Sequence, residues 1–319
     1  NIIASVIFAG MTGSAVSDAA GLGTIELEAM KEAGYDLDFS AAITAASSTI
    51  GPIIPPSIPM VIYGVSAGAS VGALLLAGIV PGLLMAVALM IMVALHARGK
   101  GYPVRKRPTL RELILGALEA LPSLFMPLII IGGIYWGWFT PTEASVVAAT
   151  YALILAGLIY RELSFSRLVS VIFETMKSTA VVAFIVSTAS IYGWLLMRSG
   201  IPIYLTQSIA SLNLSATGLL FVIVLFLLLV GMFMEPVSAL MIMTPILVPI
   251  VKAAHVDLVH FGVIMVLTLM IGLLTPPVGV VLYVVQRVAN IPFDRLVRAV
   301  FPYLLPLLVV AVLLILFPG

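Results

Sequence analysis

Polar positions in this chain are few and bunched, and long apolar runs separate them. A membrane span needs about 20 mostly apolar residues. On that measure the sequence predicts spans at 38–66, 72–97, 122–138, 143–160, 178–198, 258–290 and 299–317. Two of them, 38–66 and 258–290, are too long for a straight crossing and carry Pro-Pro in the middle. Segments 1–31 and 215–252 are apolar too, but glycine and polar or acidic residues break each one halfway. Each half is expected to be too short to cross, so each segment reads as a re-entrant hairpin. Segments 110–120 and 163–176 read as amphipathic helices along the interface.

Composition sharpens the pattern. Hydrophobic residues are 62% and charged residues 9% of the 319 positions, against roughly 45–50% and about 25% in a soluble domain. Such a chain cannot cover itself with polar surface, so its solvent is lipid. The net charge of +1 gives no reason to expect a nucleic-acid partner. The absence of cysteine excludes disulfides, thiolate metal sites and thiol nucleophiles. No Ser/His/carboxylate set, histidine metal pair or phosphate-cradling glycine loop marks an enzyme.

Short basic loops identify the cytoplasmic side. Arg98, Lys100, Arg105, Lys106, Arg107 and Arg111 precede the span at 122–138, and Arg161, Arg167 and Lys177 come two crossings later. Arg287, Arg295 and Arg298 follow the second broken span. With the spans as drawn, all three clusters fall on one side, and the C-terminus lies outside. Their ordinary role is topogenic. Tyr135, Trp136 and Trp138 read as an interface belt.

The two broken regions superpose at an offset of 221 residues, the difference between Gly231 and Gly10. Gly10-Met11 falls on Gly231-Met232, Lys31 on Lys252 and Asp36-Leu37 on Asp257-Leu258. Ile50-Gly51 falls on Ile271-Gly272 and Pro55-Pro56 on Pro276-Pro277, without a gap. The Gly to Pro-Pro spacing carries weight, because these residues mark backbone geometry rather than hydrophobicity. Five spans separate the two hairpin entries, so the copies are inverted, with the first hairpin entering from the cytoplasm. Inverted repeats with discontinuous helices are the pattern of secondary transporters, whose sites lie where the broken elements meet. Extending the offset leads us to expect about 110 further residues with three spans before Asn1, since an inverted repeat needs its first copy whole.

A helix broken inside the membrane exposes carbonyls and N–H groups that lipid cannot satisfy. The stretches Gly51-Pro52-Ile53-Ile54-Pro55-Pro56-Ser57 and Gly272-Leu273-Leu274-Thr275-Pro276-Pro277-Val278-Gly279 must each hold free carbonyls. With hydroxyls nearby these are oxygen ligands for a hard cation such as Na⁺. Facing the first break is the tip Thr12-Gly13-Ser14, and facing the second is Gly231-Met232-Phe233-Met234-Glu235-Pro236. Intramembrane acids default to function, and Asp18 follows one tip while Glu235 forms the other. Either acid caps exposed N–H groups or helps attract a cation. Arg198 suits an anionic substrate through its bidentate donors, and snorkelling to the interface is the alternative.

These four stretches, with Gly13-Ser14-Ala15-Val16-Ser17-Asp18-Ala19-Ala20 at the first tip, give the chain its resemblance. It resembles, over its whole length, the large (DctM-like) membrane subunit of tripartite ATP-independent periplasmic (TRAP) transporters. The resemblance implies an all-α polytopic fold and an elevator mechanism in the bacterial inner membrane. Residues 1–98 and 178–319 would then form the two transport halves and 99–177 the scaffold and arm helices. It implies Na⁺ as coupling ion, at Thr12, Ser14, Gly51, Ile54 and Pro56 for one site. The second would use Gly231, Gly272, Thr275 and Val278. Thr12 stands where serine is common, and the hydroxyl is kept. Asp18 and Arg198 are similar to the family's substrate-site acid and arginine, with Ser57 and Glu235 as further substrate-binding candidates. The implied partners are a small membrane subunit and a periplasmic substrate-binding protein, and the implied cargo is an organic anion such as a C4-dicarboxylate or sialic acid. A stand-alone Na⁺/dicarboxylate symporter and an ion channel are the alternatives.

Overall fold

The computed structural model describes residues 1–98, 101–102, 109–210 and 214–318. Among them every regular element is helical. The predicted cations Lys100, Arg105, Lys106 and Arg107 lie outside the described residues. The chain runs through α1 (Ile2–Thr12), α2 (Ala15–Ala20), α3 (Leu22–Glu32), α4 (Leu37–Ser48), α5 (Ile58–Ala67), α6 (Val71–Ala77) and α7 (Ile79–Ala97). It continues through α8 (Leu110–Tyr135), α9 (Pro141–Ile154) with a π turn at Leu155–Ile159, and α10 (Phe165–Ser199). The last helices are α11 (Ile201–Ala210), α12 (Ala216–Phe233), α13 (Pro236–Ala253), α14 (Leu258–Gly272), α15 (Val280–Ala289) and α16 (Phe293–Leu316).

Among the described residues, 7 stretches are long and apolar enough to cross a bilayer: Val71–Ala97, Leu110–Tyr135, Pro141–Ile159, Phe165–Leu196, Ala216–Phe233, Pro236–Ala253 and Phe293–Leu316. Three differ from the sequence expectation. The interfacial helix at 110–120 and the span at 122–138 are one helix, α8, with Pro122 and Pro127 inside it. Segments 163–176 and 178–198 likewise merge into α10, since neither glycine nor proline stands at the junction between them. The halves of 215–252 are longer than expected, since α12 and α13 are 18 residues each, or about 27 Å at 1.5 Å per residue. The break costs only the two residues Met234 and Glu235, because Glu235 at once caps the next helix.

The chain divides into two compact units, Asn1–Val104 with Tyr192–Gly319, and Arg105–Ile191. In the first, α4 and α14 are central. Every residue from Phe39 to Ser48 and from Phe261 to Gly272 is buried, the mark of a helix enclosed by others on all sides. Equivalent aspartates start the two helices. Asp36 accepts from the Asp38 N–H at 3.1 Å, and Asp257 accepts from Val259 and His260 at 2.8 and 2.9 Å. Tyr63 ties α5 to α14: it is fully buried, packs edge-on to Phe261 and donates its hydroxyl to the Leu258 carbonyl at 2.9 Å.

In the second unit, capping boxes start α8 and α9, at Thr109 with Glu112 and at Thr140 with Glu143. Ile130, Ala144 and Ala148 form the seam between these helices, joined by Met126, Ile134 and Phe139. Tyr151 donates to the Pro122 carbonyl at 2.8 Å across the same seam. Trp136 and Trp138 stay exposed with ring centroids 5.2 Å apart.

Tyr63→Phe removes one buried hydrogen bond while leaving the ring in place. It should cost about 1 kcal/mol, read as a lowered melting temperature of the purified protein; no change would mean the hydroxyl is not holding α5 to α14.

Candidate functional site

The first break begins where α4 tightens into i→i+3 bonds. Thr49, Ile50 and Gly51 donate to the carbonyls of Ala46, Ser47 and Ser48 at 3.3, 3.0 and 3.2 Å. Pro52, Pro55 and Pro56 have no N–H to continue the ladder. Ser57 restarts a helix: its hydroxyl accepts from the Met60 N–H at 3.2 Å and donates to the Pro52 carbonyl. Both Pro55-Pro56 and Pro276-Pro277 are cis. Among the described residues nothing donates a hydrogen bond to the carbonyls of Gly51, Ile54 or Pro56.

The tip of the first hairpin lies directly on this break. Gly13 ends α1 in the left-handed conformation, at φ 59°. A Cβ there would overlap the Pro56 carbonyl oxygen and sit 3.4 Å from the Ile58 nitrogen. A Cβ on Gly51 would lie 3.7 Å from the Ser14 carbonyl oxygen. Ser14 caps α2 by accepting from the Ser17 N–H at 3.4 Å, which leaves its hydroxyl proton free to rotate. Thr12 Oγ1 is buried and has no hydrogen-bond partner among the described residues. Thr12, Ser14, Gly51 and Pro56 are thus held on two touching backbone segments, with Ile54 between them on the break.

The second pair meets even more closely. A Cβ on Gly272 would stand 2.6 Å from both Cα and the carbonyl carbon of Gly231, and one on Gly231 would stand 3.1 Å from Gly272 Cα. Gly279, left-handed at φ 55°, donates its N–H to the Met232 carbonyl at 3.3 Å. Thr275 lies between, donating its hydroxyl to the Ile271 carbonyl at 3.0 Å. Among the described residues nothing donates to the carbonyls of Gly231, Thr275 or Val278.

The substrate candidates are not brought together. Glu235 is exposed and caps α13, accepting from the Ser238 N–H at 3.1 Å. Ser57 is buried and spent on the break itself. Asp18 is 1% exposed and hydrogen-bonded to Ser5, facing into the hairpin. Arg198 is exposed, its guanidinium 5.6 Å over the Trp194 ring, and no hydrogen bond or ion pair links it to the other three. The sequence reading named Gly13 within the first tip but passed over Gly78 and Gly82. A Cβ on Gly78 would overlap the Ile53 carbonyl, and one on Gly82 would overlap the Ile54 side chain. Their spacing of four was a legible signal, since small residues at that interval let helices approach closely.

The tripartite ATP-independent periplasmic transporter DctM component matches residues 1–319. The chain belongs to the DctM family of TRAP transporters. It is 46% identical over 318 residues to the sialic acid TRAP transporter large permease protein SiaM of Vibrio cholerae, covering 100% of this chain and 74% of that protein. It is 39% identical over 318 residues to the C4-dicarboxylate TRAP transporter large permease protein DctM of Pseudomonas aeruginosa, covering 100% and 74%. With the sialic acid TRAP transporter permease protein SiaT of Haemophilus influenzae it shares 41% identity over 318 residues, 100% of this chain and 52% of that one. DctM-family proteins of this kind are permease subunits, so this is a multi-pass membrane protein of a transporter and not an enzyme.

Gly272→Ala places a methyl group against backbone that no rotamer change can move, and overpacking of that kind costs about 1–3 kcal/mol. The variant should melt well below the wild type. Gly116→Ala, which meets nothing within 4 Å, should be neutral or slightly stabilising in the same thermal assay.

Proposed function

We propose that this chain is the large membrane subunit of a TRAP system that takes up an organic anion by Na⁺-coupled symport, with an elevator mechanism. The observation that carries the Na⁺ reading is the pairing of each hairpin tip with a helix break across unpaired carbonyls. At the first pair these are Gly51, Ile54 and Pro56, with the partnerless buried hydroxyl of Thr12 and the rotatable hydroxyl of Ser14. All are neutral oxygens, the donor set that suits a hard monovalent cation. At the second they are Gly231, Thr275 and Val278, with Gly272 beside them. A cation held between tip and break would fasten the hairpin shut and offset the charge of an anionic substrate. The loaded domain would then cross lipid at lower cost than either charge alone.

Inverted repeats are supported by the sequence offset and by the matched elements at both ends of it. α4 and α14 start on equivalent aspartates, Asp36 and Asp257, and each gives way to a Pro-Pro break. The length of α12 and α13 does not disturb the crossing count, since two crossings return the chain to its starting side. Arg295 binds Asp38 with contacts of 2.7 and 3.1 Å. The start of α16 therefore lies beside the start of α4, which supports reading both on a common cytoplasmic side and the C-terminus as periplasmic. Residues 1–98 and 178–319 are read as transport halves and 99–177 as scaffold.

Relatives named for sialic acid and C4-dicarboxylates support an organic anion as the cargo class. Arg198 is the side chain best suited to its charge, being exposed and without a carboxylate partner among the described residues. Asp18, Ser57 and Glu235 serve the hairpins and the first break rather than the arginine. A small membrane subunit and a periplasmic substrate-binding protein complete the system in the inner membrane.

The test is organic-acid uptake into proteoliposomes holding the chain with both partner subunits. Wild type should need Na⁺ and a binding protein. Thr12→Ala and Ser14→Ala should each raise the Na⁺ concentration for half-maximal uptake about tenfold, as loss of one hydrogen bond or ligand to a charge predicts. Unchanged Na⁺ dependence in both would remove the first ion site. Uptake by this chain alone would favour a stand-alone symporter, and ohmic current without substrate would favour a channel.

A further inference from the structure

Neither broken helix is held by its own half alone. In the first, α4 packs against all three helices of its own hairpin, α1, α2 and α3. Its continuation α5 behaves differently. Apart from α6, which follows it, α5 is packed chiefly on α13 and α14 of the second half. The second broken helix mirrors this. α14 packs against α12 and α13 of its own hairpin, while its continuation α15 lies chiefly on α2, α3 and α4 of the first half and on the following α16. Each hairpin therefore has its tip on its own break and its return arm on the far half-helix of the other.

Named side chains make the α5 seam specific. Ser66 donates its hydroxyl to Met241 Sδ on α13 at 3.2 Å, and Met241 is buried. One turn back, Tyr63 donates to the Leu258 carbonyl of α14 at 2.9 Å, and a Cβ on Gly262 would overlap its ring. Residues three apart share a helix face, so Tyr63 and Ser66 present one side of α5 to the second half. At the offset of 221 Ser66 falls on Arg287 and Met241 on Ala20, both exposed. The mirrored seam keeps the helix contact without this pair.

Residues 49–57 are the joint between α4 and α5. α4 ends in i→i+3 bonds, and the ladder is then interrupted by three prolines. With so little backbone bonding across the joint, the direction of α5 relative to α4 is set by what α5 packs against. The spacing of the Gly51, Ile54 and Pro56 carbonyls follows from that direction, as outer contacts orient the ligands of any ion site.

We propose that the second hairpin, through α13 on α5, positions the carbonyls of the first break, and that the first hairpin positions those of the second through α2 and α3 on α15. Closing either hairpin then favours the closed geometry at both breaks. The consequence for ions rests on the Na⁺ reading above: the two sites fill cooperatively, each ion raising the affinity for the other by the same factor. Met241 and Ser66 are positioning residues. Ser66 stands nine residues beyond Ser57, about 14 Å along the helix at 1.5 Å per residue.

The test is amide hydrogen exchange of the purified complete transporter, first in K⁺ without Na⁺. Met241→Ala should speed exchange at residues 49–54 about fivefold or more, as loss of one hydrogen bond's free energy from a local opening equilibrium predicts. Exchange at residues 273–275, on the break that its own hairpin covers, should change less. Ser66→Ala should move the same amides in the same direction, and it keeps this arm usable if Met241→Ala folds poorly. Leu305→Ala, at an exposed position of α16, should leave both breaks as in wild type. Equal speeding at both breaks is general loosening and overturns the proposal, as does wild-type exchange at residues 49–54 in both seam variants. Na⁺ is then titrated, and the concentration that half-maximally slows exchange at residues 49–54 reads the first site. Thr275→Ala, a change in the other break, should raise that concentration about fivefold or more, and should lose this effect when combined with Met241→Ala. An unchanged first-site midpoint in Thr275→Ala overturns the cooperativity. Exchange indifferent to Na⁺ at both breaks of the wild type removes the ion reading, and the Na⁺-free comparison still decides whether the second hairpin positions the first break.

Discussion

Hydrocarbon offers no partner to a backbone N–H or carbonyl, and that constraint organises the whole molecule. Among the described residues seven stretches meet it simply, by running as helices long enough to cross. The two broken helices violate it at residues 49–57 and 273–279, and the surrounding fold is arranged to make the violation tolerable. Each break is enclosed in protein rather than lipid. Gly78 and Gly82 bring α6 and α7 against the first, and the Gly231–Gly272 contact brings α12 against the second. What packing cannot supply is a donor for the carbonyls of Gly51, Ile54 and Pro56, or of Gly231, Thr275 and Val278.

Enclosure has a geometric requirement that falls on glycine. Backbone must lie on backbone where tip meets break, and a side chain at Gly13, Gly231 or Gly272 would occupy the space of the opposing chain. The same requirement explains why acids and hydroxyls at the tips act first as caps. Ser14, Ser57 and Glu235 each accept from an N–H at a helix start. They fix the ends of the half-helices, which in turn fix where the free carbonyls point. Arg198 takes no part in this capping, and its guanidinium lies over the Trp194 ring.

The two halves share this backbone plan but differ in their buried chemistry. Asp36 and Asp257 start equivalent helices, and Gly51 and Gly272 sit at equivalent bends. Away from the breaks the first half holds Asp18, Glu26, Ser5 and Ser47 where the second holds Ala239, Leu247, Phe226 and Thr268.

Sequence by itself determined the solvent, the broken helices and their pairing, because lipid allows only long apolar helices and because proline removes a donor wherever it stands. The positions of α4, α5, α14 and α15 follow from Pro55-Pro56, Pro276-Pro277 and the aspartate caps to within a residue or two. Helix continuity was less legible. α8 and α10 run straight through polar positions at 111–112 and 174–177, since charged residues near a helix end do not stop a helix and only backbone geometry does. Which side chains face each other was decided by tertiary structure alone. Asp18 looked like a tip residue in the sequence, yet α2 turns it inward onto Ser5, and Glu26 emerged as its neighbour only when α3 folded back along α1 and α4. Spacing along a chain fixes a residue's place on its own helix, but the burial that makes a carboxyl consequential depends on what packs over it.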